Sequence, residues 1–140
     1  MHTHGNPNQW NGAYPDKDTL LDDINKGYLY VITHENGRIY GVFALIGGKD
    51  PTYEYIEGKW KSDTEYGTIH RIASDGMVSD VVKTAVDYCE KIIPSIRIDT
   101  HEKNKTMRHV LKKLGFVECG IIYIDDGTPR IAYQKVKKGV

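Results

Sequence analysis

Apolar positions recur along this chain with two different periods, and these periods predict its secondary structure. A spacing of three and four residues, typical of one apolar helix face, predicts helices at residues 16–26, from Ser79 to about residue 92, and at 104–114. Runs of β-branched and aromatic residues predict strands at residues 28–33, 38–46, 66–73, 96–100, 116–124 and 130–136. Ser79 is the expected N-cap of the second helix, because its hydroxyl can accept from the first free amides.

Two dipeptides predict hairpins between neighbouring strands. Asn36-Gly37 and Asp126-Gly127 favour the left-handed backbone of tight two-residue turns. In the middle of the chain the order strand, helix, strand predicts one parallel crossover, with antiparallel pairs on either side. The expected fold is therefore a mixed α/β (α+β) sheet with helices on its faces, in a single domain over residues 1–140.

Composition narrows the class of function. The chain is 39% hydrophobic and 27% charged, with 19 basic and 19 acidic side chains. Without a basic excess to neutralise phosphates, a nucleic-acid partner is not expected. The longest apolar runs are too short to span a bilayer, and the N-terminus lacks a signal-peptide pattern. We therefore expect a cytoplasmic protein with no membrane partner and no bound metal.

Three stretches resemble conserved motifs of the GNAT superfamily of N-acetyltransferases. Residues 69–74, Ile-His-Arg-Ile-Ala-Ser, resemble the strand that leads into the family's pyrophosphate loop. Residues 104–116 resemble its second motif, an Asn that opens a helix which ends in Gly-Phe. Residues 9–15 with 22–24 are similar to a segment of bacterial members. The resemblance implies the GNAT fold, in which two parallel strands splay apart beside acyl-coenzyme A.

The resemblance also implies where acetyl-coenzyme A binds. Its pantetheine arm is expected beside Ile72, Ala73 and Ser74, and Asn104 is expected to hydrogen-bond to that arm. The amides and positive dipole end of the following helix would hold the pyrophosphate, over Val78, Ser79, Asp80, Val81, Val82 and Lys83.

The phosphate loop departs from the family pattern. The positions where the family has Arg or Gln, Gly, and Gly or Ala are Met77, Asp80 and Val82 in this chain. Asp80 would place a negative charge near the phosphates, so weak cofactor binding is expected unless that side chain turns outward or Lys83 or Arg71 offsets it. An alternative register uses Gly76 as the loop glycine, with residues 74–78 as the cradle.

Acetyl transfer to an amine needs a base for the amine and an acid for the leaving thiolate. His70 is the expected base, on a strand face shared with Thr68 and Ile72, although a structural histidine is an equal alternative. The helix position where many members carry a Tyr acid is Leu111, so Tyr123 is the substitute. Weaker alternatives for base or substrate contact are His101, Glu54 and Glu57, and Arg71 is interpreted as a surface charge.

Three interpretations remain open at this point, and the third, ranked last, is an unrelated mixed α/β binding domain. The first is an N-acetyltransferase that acts on a primary amine of a small molecule or peptide. The second is a catalytically degraded GNAT-fold protein that serves as a coenzyme-A-binding or interaction module. Family members generally begin with a strand and a helix ahead of the segment at 9–15, and this chain starts later. The uncovered apolar surface would then favour a homodimer.

Overall fold

The computed structural model describes residues 17–76 and 78–137. Over these ranges it has three helices, α1 to α3 in chain order, at Lys17–Asn25, Val78–Glu90 and Lys105–Lys113. Seven strands, β1 to β7, lie at Leu29–Thr33, Ile39–Gly47, Glu57–Gly58, Gly67–Ser74, Ser95–Thr100, Val117–Tyr123 and Pro129–Val136. A short 3₁₀ turn covers Pro51–Tyr53. The segment at 9–15 lies outside the described residues.

All seven strands form one sheet in the order β1-β2-β4-β5-β7-β6-β3. Every neighbouring pair is antiparallel except β4 and β5, which are parallel and are joined by α2. The mixed sheet with one parallel crossover, predicted from the order of the elements, is therefore confirmed.

Element ends follow the local chemistry, with two differences from prediction. The N–H groups of Gly115 and Phe116 donate to the carbonyls of Lys112 and Leu111, which closes α3 at the expected glycine. The two-residue strand β3 was not predicted, because a pair of residues carries no periodic signal. Ser79 is not the N-cap of α2, since the helix already begins at Val78.

The main core lies between one face of the sheet and the two helices α2 and α3. Val81, Val82 and Val86 on α2 pack with Leu111 on α3 and with sheet residues such as Ile98. Gly41 on β2 allows this close approach, because a Cβ there would lie 2.7 Å from a methyl group of Val81.

The opposite face of the sheet is covered by the segment between β2 and β4. Tyr53 and Tyr66 of this segment pack against Ile122 and Ala132 of the sheet. The guanidinium of Arg97 lies between the rings of Trp60 and Tyr66, 4.0 and 3.9 Å from their centroids, and donates to the carbonyl of Ser62. We call this arrangement the Arg97 clamp; it fixes residues 60–66 on the sheet.

A β-bulge interrupts β4 at Arg71, which has a left-handed φ of 54°. Two residues of β4 there oppose one residue of β2. Side chains after the bulge therefore lie on the opposite face of the sheet from the one that simple alternation predicts. His70 shares its face with Thr68 as predicted, but Ile72 packs into the helix-side core. The predicted common face of His70 and Ile72 is therefore wrong.

Arg71 is not a surface charge, contrary to the sequence interpretation. Its guanidinium forms a two-point ion pair with the carboxylate of Asp23 on α1, through Nε and through Nη2 at 2.7 Å from Oδ1. Asp23 is only 2% exposed. This buried ion pair holds α1 against the bulge.

No helix within residues 17–76 and 78–137 combines the length and the apolar character that crossing a membrane requires.

Candidate active site

The parallel strands β4 and β5 separate soon after they meet. They pair only at Gly67 with Ile96 and at Thr68 with Arg97, although β4 continues to Ser74 and β5 to Thr100. Backbone groups beyond this point are not used for pairing between the two strands. The splay expected of the central strands is present.

A cavity of about 410 Å³ opens on the helix side of this split. It lies between the end of β4, the start of α2 and the start of α3. Its described lining contains no charged side chain and consists of Ile72, Ala73, Ser74, Gly76, Val78, Val81, Val82, Asn104, Thr106 and Met107.

Most of the residues predicted to bind the cofactor share this cavity. Seven of them line it: Ile72, Ala73, Ser74, Val78, Val81, Val82 and Asn104. Ser79, Asp80 and Lys83 do not line it and are exposed on α2. Whether the seven bind a cofactor stays a prediction, but their positions are compatible with one.

The cavity favours the alternative register of the phosphate loop. Gly76 lines it, whereas Asp80 does not. The φ of 105° at Gly76 is a conformation that side-chain-bearing residues rarely adopt. Lys83 is paired with Asp87 at 2.7 Å, and its pKa is raised first by Asp87 and further by Asp80. The charge of Asp80 therefore lies outside the cavity and next to a cation.

Asn104 both caps α3 and borders the cavity. Its Oδ1 accepts from the backbone N–H of Met107 at 3.1 Å. The side-chain oxygen is therefore used by the helix, and the amide nitrogen has no partner among the described residues. Helix capping therefore uses the oxygen of this side chain and leaves its nitrogen for the cofactor contact that the resemblance implies.

His70 lies on the other face of the split, paired with a carboxylate. Its Nε2 is 3.0 Å from Oδ2 of Asp50, and both side chains are largely buried. Asp50 also accepts from the N–H of Thr52. The pKa of Asp50 is lowered, chiefly by the hydrogen bond from His70. Because the carboxylate accepts at Nε2, the neutral imidazole carries its proton there and has Nδ1 as the basic atom.

A second carboxylate, Asp99, lies on this same face of the sheet. Its Oδ2 accepts a hydrogen bond of 2.7 Å from the hydroxyl of Tyr53, which is buried. Burial raises the pKa of Asp99. The hydrogen bond from Tyr53 opposes that shift first, and the charges of Arg130 and of His70 when it is protonated oppose it further. Two hydrogen-bonded pairs, Asp50 with His70 and Tyr53 with Asp99, therefore lie on this face.

Sequence reasoning missed three of these four residues, Asp50, Tyr53 and Asp99. Asp50 and Tyr53 lie in a stretch without periodicity, and they reach His70 and Asp99 through contacts 20 and 46 residues apart. One signal was available for Asp99: Arg97 and Asp99 alternate with Ile96 and Ile98 on a buried strand. Charged residues at such positions point to a polar face inside the fold.

Tyr123, the predicted acid, is not brought to the cavity. Its ring lies 6.4 Å from that of Tyr55, and its pKa is raised, chiefly by a hydrogen bond with Glu57. Leu111, the family's acid position, is fully buried in the core. None of the described residues that line the cavity is a tyrosine, so the cavity has no tyrosine acid.

The weaker candidates also lie away from the cavity. Nδ1 of His101 accepts from the backbone N–H of Lys103 in the turn before α3. Glu54 is exposed, and Glu57 lies on the edge strand β3. None of these three side chains borders the described part of the cavity.

The solved structures similar to this chain include several acetyltransferases. A GNAT-family acetyltransferase from Streptococcus agalactiae has 38% sequence identity, covers 93% of this chain and 77% of its own, and superposes with a TM-score of 0.79. A GNAT-family acetyltransferase from Listeria monocytogenes is 22% identical over 86% of this chain and 71% of its own, with a TM-score of 0.63. The ribosomal-protein-S5-alanine acetyltransferase of Vibrio fischeri is 19% identical over 86% and 68%, with a TM-score of 0.56.

The last two likenesses show the fold alone. No protein-family model and no curated protein matches the sequence. The streptococcal structure, however, combines high identity with coverage of most of both chains, and the splayed strands agree with it. The chain belongs to the GNAT family of acetyltransferases.

Proposed function

We propose that this protein transfers the acetyl group of acetyl-coenzyme A to a primary amine of a small molecule or peptide. The observation that carries the proposal is the split between β4 and β5, which has an uncharged cavity on one face and the His70–Asp50 pair on the other. A thioester and an amine that approach from opposite faces would meet in this opening.

The cavity suits the donor in shape and in chemistry. The part of β4 that is not paired with β5 offers backbone groups to an amide-rich arm, beside Ala73 and Ser74. The start of α2 presents free amides and its positive dipole end, which favour phosphate. The amide nitrogen of Asn104 is available as a further donor. Acetyl-coenzyme A would supply an activated acyl group to this site.

The acid–base face suits the acceptor. Nδ1 of His70 would take a proton from the amine, and Asp50 would stabilise the resulting imidazolium through Nε2. Tyr123 contacts Tyr55 rather than the cavity. The leaving thiolate would therefore take its proton from water at the open cavity mouth and not from Tyr123.

The test combines donor binding with turnover. Isothermal titration calorimetry should show acetyl-coenzyme A binding to the wild-type protein. Thiol release across a panel of primary amines should then identify an acceptor. His70→Gln should lower kcat by about 10²- to 10⁴-fold, the usual contribution of a general base, with the affinity for acetyl-coenzyme A unchanged. Absence of heat at millimolar acetyl-coenzyme A, or full turnover by His70→Gln, would contradict the proposal.

A catalytically degraded coenzyme-A-binding module is the second candidate. It is favoured by the buried Leu111 at the family's acid position and by the absence of a tyrosine from the described cavity lining. This candidate predicts acetyl-coenzyme A binding without thiol release for every amine of the panel.

The homodimer expected from the sequence stays a prediction. Sedimentation velocity at micromolar concentration tests it, since a single monomeric species would contradict it.

A further inference from the structure

Asp99 occupies the position across the split from His70. The last paired residues of the two strands are Thr68 and Arg97, and His70 and Asp99 each lie two residues further along. Alternation along each strand places both on the face away from α2 and α3. Asp99 pairs in register with Ala132 of β7 on its other side, so it borders the opening.

The carboxylate of Asp99 is held in place by a hydrogen bond, but no cation among the described residues pairs with it directly. Among the described residues, Tyr53 is its one hydrogen-bond partner, and none of their ion pairs includes it. The guanidinium of Arg130 donates to Thr128 and to the carbonyl of Pro129 within its own hairpin.

A carboxylate in this position is costly to the folded protein. Burial raises its pKa, and Asp50 adds a repulsive charge. The hydrogen bond from Tyr53 and the more distant charges of His70 and Arg130 offset this cost in part, but a poorly solvated carboxylate without a directly paired cation still destabilises a fold. An incoming cation would remove that penalty, and the proposed function places the acceptor beside His70.

We propose that Asp99 binds the ammonium group of the acceptor, and that the acceptor is a primary amine without a carboxylate next to its nitrogen. The ammonium would donate one N–H to Asp99 and would lose another proton to Nδ1 of His70. The neutral nitrogen then attacks the thioester carbonyl, and the C–S bond breaks with its electron pair leaving on sulfur. The nitrogen loses a second proton as the amide forms, and that proton would pass through water to the departing thiolate. A carboxylate beside the nitrogen would be repelled by Asp50 and Asp99. This inference rests on the proposed function.

The test compares two acceptors of similar shape and different charge. Benzylamine is a cation at pH 7.5, whereas O-benzylhydroxylamine is neutral there. Asp99→Asn should lower kcat/KM for benzylamine by about 10- to 100-fold, as expected for loss of a hydrogen bond to a charged group. The value for O-benzylhydroxylamine should change by less than about threefold, since that ligand makes no charged contact.

Two further variants separate charge from structure. Tyr53→Phe keeps the charge of Asp99 but removes its anchor, so it should give a smaller loss that is again selective for benzylamine. Asp125→Asn removes an exposed carboxylate of the β6–β7 hairpin and should leave both rates unchanged. Equal losses for both acceptors, or no loss with Asp99→Asn, would overturn the proposal.

If neither acceptor is acetylated, the role of Asp99 can still be tested by measuring benzylamine binding with calorimetry. Benzylamine should bind the acetyl-coenzyme-A complex, and Asp99→Asn should weaken that binding at least tenfold. Acetyl-coenzyme A binding without turnover would count against the proposed function alone. Failure of benzylamine to bind the wild-type complex would count against the role of Asp99.

Discussion

The two faces of the split between β4 and β5 are built in different ways. The helix side is lined by apolar side chains, backbone, two hydroxyl side chains and one amide, and its described lining has no charged group. The opposite face holds two hydrogen-bonded pairs, His70 with Asp50 and Tyr53 with Asp99. The first face therefore depends on shape and backbone position, whereas the second depends on charge. Substitutions on the two faces should differ in their pH dependence.

The largest expected effect is a loss of folding stability when the ion pair at the β4 bulge is broken. Arg71→Met would leave the buried carboxylate of Asp23 without its partner, which typically costs about 3–5 kcal/mol of folding free energy. The double variant Asp23→Leu with Arg71→Met should recover most of that loss, because no buried charge remains. Urea denaturation measures both. A single variant within about 1 kcal/mol of wild type would show that the ion pair does not hold the bulge.

A smaller effect is expected on the helix side, at Asn104. Asn104→Ala removes the cap of α3 and should cost about 1 kcal/mol of stability, together with affinity for acetyl-coenzyme A. Asn104→Ser retains a capping oxygen, so its stability should be near wild type. Its affinity should still fall by about tenfold, since the amide donor is lost. Denaturation measures the stability of each variant, and calorimetry measures its affinity for acetyl-coenzyme A. Wild-type affinity in the Ser variant would show that Asn104 caps the helix and does not contact the cofactor.

The smallest expected effect is a change in thermal stability when the charge of Asp99 is removed. The pKa of Asp99 is raised in the folded protein, so its ionisation opposes folding once pH exceeds the unfolded carboxyl value of about 4. Asp99→Asn should therefore raise Tm at pH 7–8 by about 2–4 °C and leave it unchanged near pH 3. Differential scanning calorimetry at the two pH values measures this. A lower Tm at neutral pH would show that the charge is already compensated.

Most of the fold could be predicted from the sequence, because apolar residues recur in its helices and strands with the spacing typical of each. Helices α2 and α3 and the strands around them end within about two residues of the predicted bounds. The signals behind them are local: an apolar stripe, an Asn-Gly or Asp-Gly turn, and a glycine after a helix. The two-residue strand β3 has no such period.

The charged face could not be predicted to the same extent. Arg71 takes a left-handed φ without being a glycine, so nothing in the sequence marks the bulge that reverses the alternation after His70. The partner of His70 lies in the irregular segment before β4, and its position depends on long-range packing. The cavity lining was easier to foresee, because it follows from the ends of regular elements.

The Arg97 clamp has a consequence for which positions of the segment between β2 and β4 can vary. It fixes residues 60–66, and the bond from Tyr53 to Asp99 fixes the segment at its other end. Between these two attachments Glu54 and Tyr55 are exposed. Replacements at this tip should therefore leave the spacing of the His70–Asp50 and Tyr53–Asp99 pairs unchanged. One short stretch of chain thus combines two fixed attachments with an exposed tip between them.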